Sequence, residues 1–135
     1  MNTQELQTFF DSYANAINEM DLASLKSHFS LPFIVVHKEP EGVISFDEEL
    51  ERKVKLFLMS LKTKGVSGLK ATVSKSFDVS NYMTFVNIDW LLTDEDNAEI
   101  KSLSHSYIIS NTQSRLSIVT LIVDDNSDLF LELFK

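Results

Sequence analysis

Apolar residues recur every three or four positions near the start of the chain, which is the spacing of one face of a helix. The sequence therefore predicts a first helix whose apolar face consists of Leu6, Phe9, Phe10, Tyr13, Ile17 and Met20. Asn2 and Glu5 have the spacing of a capping box at its start. Asp21 is the predicted N-cap of a second, shorter helix that ends before Pro32.

A short hairpin and a third helix follow in the pattern. The second helix is expected to bury Leu22, Leu25 and Phe29. Strands are predicted over 33–37 and 42–46, joined by a turn at Pro40. Asp47 is the predicted N-cap of a long third helix, which ends at Gly65. The apolar face of that helix consists of Leu50, Val54, Phe57, Leu58 and Leu61.

From Leu69 onward apolar and polar residues alternate, which indicates strands. The predicted strands start at Leu69 and cover 83–92, 100–109 and 116–123, with a turn at 80–81. The last strand is apolar on both faces and is expected to be covered on both sides. The tail, 124–135, mixes acidic and large apolar side chains, so we expect it to pack on this domain or on a second copy.

This order of elements predicts an α+β fold. A strongly curved antiparallel sheet would wrap around the first and third helices, bury their apolar faces and leave a cavity at the wide end of a cone. The chain has 135 residues, so 1–135 is expected to form one domain around one core. Doubly wound α/β folds fit worse, because no helices separate the long strands.

The run from Tyr13 to Leu25, YANAINEMDLASL, and the strand Val86-x-Ile88-x-Trp90 resemble the nuclear transport factor 2-like superfamily, also called SnoaL-like or cystatin-like. The likeness covers roughly residues 4–123. It implies a cone-shaped α+β fold with a ligand-binding pocket. Dehydratases and cyclases of this fold use Tyr and His in that pocket, a parallel that rests on fold analogy.

Within the superfamily, the first half is similar in spacing to the ketosteroid isomerases. Tyr13 and Asp21 match the catalytic tyrosine of that family and its helix-capping Asp. Continued without a gap, the likeness places the carboxylate base of the isomerases at His37 and their second oxyanion donor at His105. Both positions hold a histidine in this chain and not the acid of the isomerases. The resemblance therefore implies the location of a polar cluster and argues against unchanged isomerase chemistry.

Tyr13, His37 and His105 are the candidate catalytic residues, and each has a structural alternative. Tyr13 would donate a hydrogen bond to a developing oxyanion, or it is a core tyrosine. His37 would act as general base near neutral pH, or it is an exposed hairpin residue. His105 would orient a ligand, or it lies on an exposed or dimer-facing strand. The remaining histidine, His28, is expected to be a surface or a satisfied structural residue.

Trp90, Tyr107 and Phe33 are the candidate ligand-binding residues. Trp90 would form a flat wall for an apolar ligand, or it is simply a core residue. By alternation, Trp90 shares a strand face with Val86 and Ile88, and His105 shares one with Tyr107. The opposite face carries Phe85, Asn87 and Asp89, which would suit either a dimer surface or a solvated face.

Composition and net charge exclude several kinds of site and of binding partner. The chain has no cysteine, three glycines and two prolines, which excludes disulfides, thiolate zinc sites and glycine-rich phosphate loops. Twelve basic and twenty acidic residues give a net charge of −8, which opposes attraction to nucleic acid or anionic lipid. We expect no cofactor and no metal site, since the acidic segments at 94–97 and 124–128 lack the later positions of a calcium loop. With no signal peptide pattern, a cytoplasmic location is the default.

Two functional hypotheses follow. In the first, a conical pocket binds a small, largely apolar molecule, and Tyr13, His37 and His105 carry out a cofactor-independent isomerisation, dehydration or cyclisation by proton transfer. In the second, the chain is a noncatalytic module, expected to be a homodimer, that binds a protein or sequesters a ligand through its sheet face and its tail. Convergence of polar groups in an enclosed pocket would separate the two, and sequence alone does not reveal convergence.

Overall fold

Three helices and six strands make up the described part of the chain, residues 1–37 and 42–123 of this computed structural model. In chain order the elements are α1 (Thr3–Asn18), α2 (Leu22–Lys26), β1 (Phe29–Val36), β2 (Gly42–Ile44), α3 (Asp47–Thr63), β3 (Gly68–Asp78), β4 (Met83–Thr93), β5 (Glu99–Thr112) and β6 (Arg115–Val123). The predicted α+β class is confirmed: an open, curved sheet holds the helices against its concave face.

The six strands lie in the order β2-β1-β6-β5-β4-β3. Neighbouring strands are antiparallel except for β1 and β6, which are parallel. The helix α3 connects the two edge strands, β2 and β3. Its 17 residues span about 25 Å at 1.5 Å per residue. Five spacings between six strands amount to about 24 Å, so this helix has the length needed to cross the sheet.

Two of the three predicted helix caps are confirmed. The Asn2 side chain accepts a hydrogen bond of 2.8 Å from the Glu5 amide, and the Asp21 side chain accepts one of 3.1 Å from the Ser24 amide. The prediction that Asp47 caps α3 is wrong, because Phe46 occupies the cap and makes no side-chain bond there. Asp47 instead opens the first turn, where a carboxylate is favourable beside the positive end of the helix dipole.

The second helix is shorter than predicted. It ends at Lys26, and Phe29 already belongs to β1. That strand runs through Pro32, although proline cannot donate to a sheet. Its pairing with β6 shifts register between Phe29 and Ile34, and Pro32 lies in this irregular stretch, where a missing N–H costs little. The predicted burial of Phe29 is nevertheless confirmed.

The core lies between the helices and the concave face of the sheet. All five apolar residues predicted for α3 are buried, as are Leu6, Phe10, Tyr13 and Ile17 of α1. Two predicted members of the α1 face differ, since Phe9 is half-buried and Met20 is exposed beyond the end of the helix. The expectation that β6 is covered on both faces is met only in part among the described residues: Leu121 is buried, whereas Ile122, on the opposite face, is half-buried.

The open edge of β3 is closed by polar side chains of α1. Gln7 donates to the carbonyl oxygen of Ala71 (2.9 Å) and accepts from the amide of Val73 (3.0 Å). At the C-terminal end of α1, Asn18 donates to the carbonyl oxygen of Leu69 (3.1 Å) and accepts from the amide of Leu69 (2.8 Å). These side chains satisfy backbone groups that an edge strand otherwise presents to another chain.

Pairing of β1 with β2 and the β3–β4 turn at 80–81 confirm the predicted hairpin and turn. The predicted turn at Pro40 and the predictions for the tail lie outside the described residues.

Candidate functional site

An aromatic cluster occupies the concave side of the sheet, where α1 crosses β4 and β5. The rings of Phe10 and Tyr107 are 4.9 Å apart, and those of Tyr13 and Trp90 are 5.9 Å apart, measured between centroids. Phe10 also meets Trp90 edge-on at 6.5 Å. Three of the sequence-predicted site residues, Tyr13, Trp90 and Tyr107, are thus brought together.

Polar atoms in this cluster face an apolar interior. The indole Nε1 of Trp90 donates a hydrogen bond of 3.0 Å to the phenol oxygen of Tyr107. Burial raises the pKa of Tyr13 well above its usual range, because a phenolate would be desolvated there. Tyr13 therefore keeps its proton throughout the physiological range and is chemically a hydrogen-bond donor, the state that oxyanion stabilisation requires.

Phe33 joins the cluster through a neighbouring ring. Its centroid lies 4.8 Å from that of Phe29, which in turn lies 5.9 Å from the ring of Tyr13. Phe33 is 1% exposed. All three predicted ligand-binding residues therefore belong to the same aromatic cluster as Tyr13.

His105 lies on the same concave face as Tyr107, two residues away along β5, and is completely buried. It pairs with Ile88 on β4 and Val123 on β6. Ile88 pairs with His105 and Val86 with Tyr107, so these side chains share one face of the sheet. Phe10 of α1 contacts both Trp90 and Tyr107 there, as the alternation along the two strands predicts. An exposed position for His105 is excluded.

His37 directly follows β1 and is half-buried. Val36 pairs with Ile122, so the register continued by one residue sets His37 opposite Val123. His105 pairs with Val123 from the other side. The two histidines thus flank one β6 residue, with backbones about two strand spacings, or roughly 10 Å, apart.

The six predicted residues do not line either of two cavities in the described part of the chain. The first, of about 510 Å³, opens between the C-terminal ends of α1 and α3 and the β4–β5 hairpin. Its apolar wall consists of Ile17, Met20, Leu58, Leu61, Val66 and Leu69. Its polar rim consists of Asn18, Lys62, Ser67, Asp94, Glu95 and Asp96.

The β4–β5 hairpin at the rim of the first cavity is stabilised by the side chain of Asp94. Asp94 accepts hydrogen bonds from the amides of Asp96 (2.9 Å) and Ala98 (3.0 Å). On the opposite side, Gly65 has a φ of +77°, and the amide of Val66 bonds to the carbonyl oxygen of Leu61 (3.0 Å). This is a Schellman C-cap, and it folds Val66 back onto the cavity wall.

The second cavity, of about 530 Å³, lies between the N-terminal half of α1 and the β5–β6 turn. Its wall includes Glu5, Phe9, Ser12, Arg115 and Leu116. The Ser12 side chain reaches His28, a residue expected to be either on the surface or structurally satisfied. Since His28 is only 7% exposed, the surface alternative is excluded.

Within residues 1–37 and 42–123, no three His, Asp or Glu side chains are grouped so that they could hold a metal ion. No helix in the same residues combines the length and the apolar character that crossing a bilayer requires.

The open sheet curved over helices defines an NTF2-like, cystatin-like cone. The chain belongs to a family of NTF2-like proteins, DUF6841, whose model matches residues 4–126. In a comparison with curated proteins, none matches this chain.

Solved structures share the fold at low sequence identity. An NTF2-like protein of unknown function from Shewanella oneidensis is 14% identical with a TM-score of 0.70, and the match covers 90% of this chain and 98% of that one. A domain of unknown function with a cystatin-like fold from Nostoc punctiforme is 13% identical with a TM-score of 0.69, covering 93% and 78%. An NTF2-like protein from Streptomyces avermitilis, provisionally named a dehydratase, is 11% identical with a TM-score of 0.62, covering 89% and 92%. At such identities the likeness establishes the fold alone.

Proposed function

We propose that this chain binds a small, largely apolar molecule in the first cavity. The observation that carries the proposal is the cavity itself. Its volume of about 510 Å³ lies within the range of small-molecule sites, which is about 300–1,000 Å³. An apolar wall with a polar rim suits a ligand whose body is hydrophobic and whose one polar group stays near water.

The aromatic cluster lies directly behind this cavity. Ile17 on the wall is one helical turn after Tyr13, so the two positions are about 6 Å apart along α1. Leu69 on the wall pairs with Leu92, which shares the concave face with Trp90 two residues earlier. A ligand that enters deeply would therefore approach Tyr13 and Trp90.

We further propose that the chain catalyses a proton-transfer reaction on the bound molecule. His37 would be the base, and Tyr13 and His105 would donate to an oxygen on which negative charge develops. The protonated Tyr13 phenol supports this role. The Streptomyces protein provisionally named a dehydratase offers a parallel on the same fold.

Binding is tested by titrating 2-naphthol into isotope-labelled protein and following amide chemical shifts. We expect saturable shifts at Ile17, Leu61 and Leu69. Val66→Trp would fill the cavity and abolish them, while Val79→Trp, at an exposed position in the β3–β4 turn, would leave them unchanged. Equal shifts in both variants would overturn this location.

The reaction is tested by exchange of the α-protons of 2-tetralone for deuterium in D₂O. We expect the protein to accelerate exchange above the spontaneous rate, and Tyr13→Phe and His37→Gln each to remove the acceleration. Phe77→Leu, on the opposite face of the sheet, serves as the control. No acceleration by the unaltered protein would exclude these roles and leave a noncatalytic binding module.

A noncatalytic homodimer is the second candidate, favoured by an apolar row across the convex face. Cross-strand pairs connect Phe77 to Phe85, Phe85 to Ile108, Ile108 to Thr120, Thr120 to Ile34 and Ile34 to Val43. The rings of Phe77 and Phe85 stack at 4.8 Å, although Phe77 is 59% exposed. Such a row supports pairing of two sheets.

Next to this row the convex face is more polar. Asn87 is buried and donates to the hydroxyls of Ser104 (3.0 Å) and Ser106 (3.1 Å). Asp89, two residues further, is exposed. Association would therefore centre on the apolar row.

Sedimentation equilibrium tests the dimer. We expect a mass of twice 15.4 kDa, which Phe77→Asp should reduce to that of one chain. Thr72→Asp, exposed on the same strand away from the row, is the matched control. A single-chain mass for the unaltered protein would overturn this candidate.

A further inference from the structure

A serine and a buried histidine meet at the wall of the second cavity, away from the proposed ligand site. Ser12 Oγ lies 3.0 Å from Nε2 of His28, and Nδ1 of His28 lies 2.8 Å from the carbonyl oxygen of Ser24. Ser12 is exposed on α1 and lines the cavity.

These two distances determine the proton positions. A backbone carbonyl oxygen only accepts, so Nδ1 must carry the ring proton and donate it to Ser24. In the neutral ring Nε2 then holds a lone pair, and the Ser12 hydroxyl donates to it. Burial lowers the pKa of His28, with Arg115 adding to the effect and backbone hydrogen bonds opposing it. The ring is therefore a neutral acceptor at pH 7.

We propose that Ser12 and His28 form a nucleophile–base pair that cleaves small, neutral carboxylic esters bound in the second cavity. The geometry has the elements that a nucleophilic site needs: an exposed hydroxyl, a base within hydrogen-bond reach and a third group that orients the base. The cavity volume of about 530 Å³ is ample for a small ester. The cavity wall carries Glu5 and Arg115, one charge of each sign, which suits a substrate without net charge.

In the first step, Ser12 Oγ bonds to the ester carbonyl carbon while His28 Nε2 takes the hydroxyl proton and the carbonyl π electrons move to oxygen. The tetrahedral intermediate then breaks its bond to the alcohol oxygen, which receives the proton from His28. Water, deprotonated by His28, next attacks the acyl-serine. This releases the carboxylic acid and returns the proton to Ser12.

Arg115 is the charged donor for the intermediate. Its guanidinium has five N–H groups, one of which goes to the carbonyl oxygen of Ser27. The others serve the oxyanion in this proposal. His28 itself is tied to β6 through its carbonyl oxygen, which accepts from the Ile118 amide at 2.7 Å. His28 and Arg115 are therefore both held at β6, His28 by this bond and Arg115 as a residue of the strand.

The experiment uses the full chain with two probes, p-nitrophenyl acetate and a small, uncharged fluorophosphonate. We expect p-nitrophenolate release above the buffer rate and one fluorophosphonate adduct, which peptide mass spectrometry places on Ser12. Ser12→Ala should abolish the adduct and lower release at least tenfold, and His28→Gln should lower both rates at least tenfold. Ser102→Ala, at an exposed serine on β5 outside the cavity, should change neither.

Ser12→Ala keeps the proposal testable even where His28→Gln fails to fold, because alanine is favourable at an exposed helical position. Its melting temperature verifies the fold. An adduct on another residue, or release by Ser12→Ala equal to that of the unaltered protein, would overturn the proposal. Val66→Trp, which fills the first cavity, should leave ester cleavage unchanged, so failure here is distinguishable from failure of the proposed ligand site.

Discussion

The indole N–H of Trp90 and the phenol oxygen of Tyr107 are joined by a 3.0 Å hydrogen bond between neighbouring strands. The register pairs Tyr107 with Val86, four residues before Trp90, so the two side chains reach toward each other across the row of Ile88 and His105. This bond lets two large polar-tipped rings fill the interior of the cone without leaving the indole donor unsatisfied.

Tyr107→Phe should destabilise the fold because it leaves the Trp90 indole N–H buried without this acceptor. We expect a loss of about 1–3 kcal/mol in the free energy of unfolding, measured by urea denaturation. In a double-mutant cycle with Trp90→Phe, the coupling energy should be about 1 kcal/mol. Additive effects of the two substitutions would contradict a direct interaction.

Asn18→Ala should open the edge of β3. Two hydrogen bonds to the Leu69 backbone are lost, which should cost about 1–2 kcal/mol and speed amide exchange at Leu69. The neighbouring exposed Asn15, substituted by Ala, is the control and should leave exchange at Leu69 unchanged. Protection that persists in Asn18→Ala would show that water replaces the side chain at no cost.

His28 should make the fold less stable in mild acid. Burial lowers its pKa in the folded state below the ordinary value of about 6.5, so the unfolded chain binds the proton more readily. Stability contributed by neutral His28 is complete above pH 6.5 and decreases as the pH falls from there toward the folded-state pKa. His28→Asn, which does not titrate, should show a shallower decrease in melting temperature from about pH 7 to about pH 5, a range that includes the ordinary histidine pKa of about 6.5. Identical pH profiles would indicate that His28 has an ordinary pKa.

Gly65→Ala should destabilise the end of α3. Gly65 has a φ of +77°, a left-handed conformation that costs a residue with a Cβ about 1–2 kcal/mol. No atom lies within 4 Å of the added Cβ, so strain alone should account for the loss. Chemical denaturation measures it, with Lys64→Ala, where φ is −87°, as the control. A loss equal to that of the control would rule out the strain.

Much of the fold could be predicted because its signals are local. Helical periodicity identified the buried faces of α1 and α3, and the Asn2 and Asp21 caps follow from side chains three residues from the amides that they bind. Alternation along β4 and β5 correctly grouped Trp90 with Ile88 and His105 with Tyr107. The Phe46 cap was missed because the acidic residue beside it carries the stronger capping preference.

The candidate site was predictable only in part. Tyr13, Trp90 and Tyr107, each singled out from the sequence, lie in one aromatic cluster. That they do not line the first cavity depends on packing that the pattern does not contain. The Ser12–His28 pair was missed as well. Ser24 and His28 are four residues apart, a signal for the Nδ1 bond at the end of α2, but Ser12 comes from another helix and no spacing marks it.

The sequence by itself determined the class of fold, most of the inward faces of α1 and α3 and the order of helices and strands, because periodicity and capping act within a few residues. Tertiary structure alone decided that β1 pairs in parallel with β6, that α1 closes the edge of β3, and which polar groups reach each other. Those contacts join residues up to 90 positions apart, as the bond from the Ile118 amide to the His28 carbonyl oxygen does (118 − 28 = 90). Their geometry depends on how the whole sheet curves over its helices, a property that no local stretch of side chains encodes.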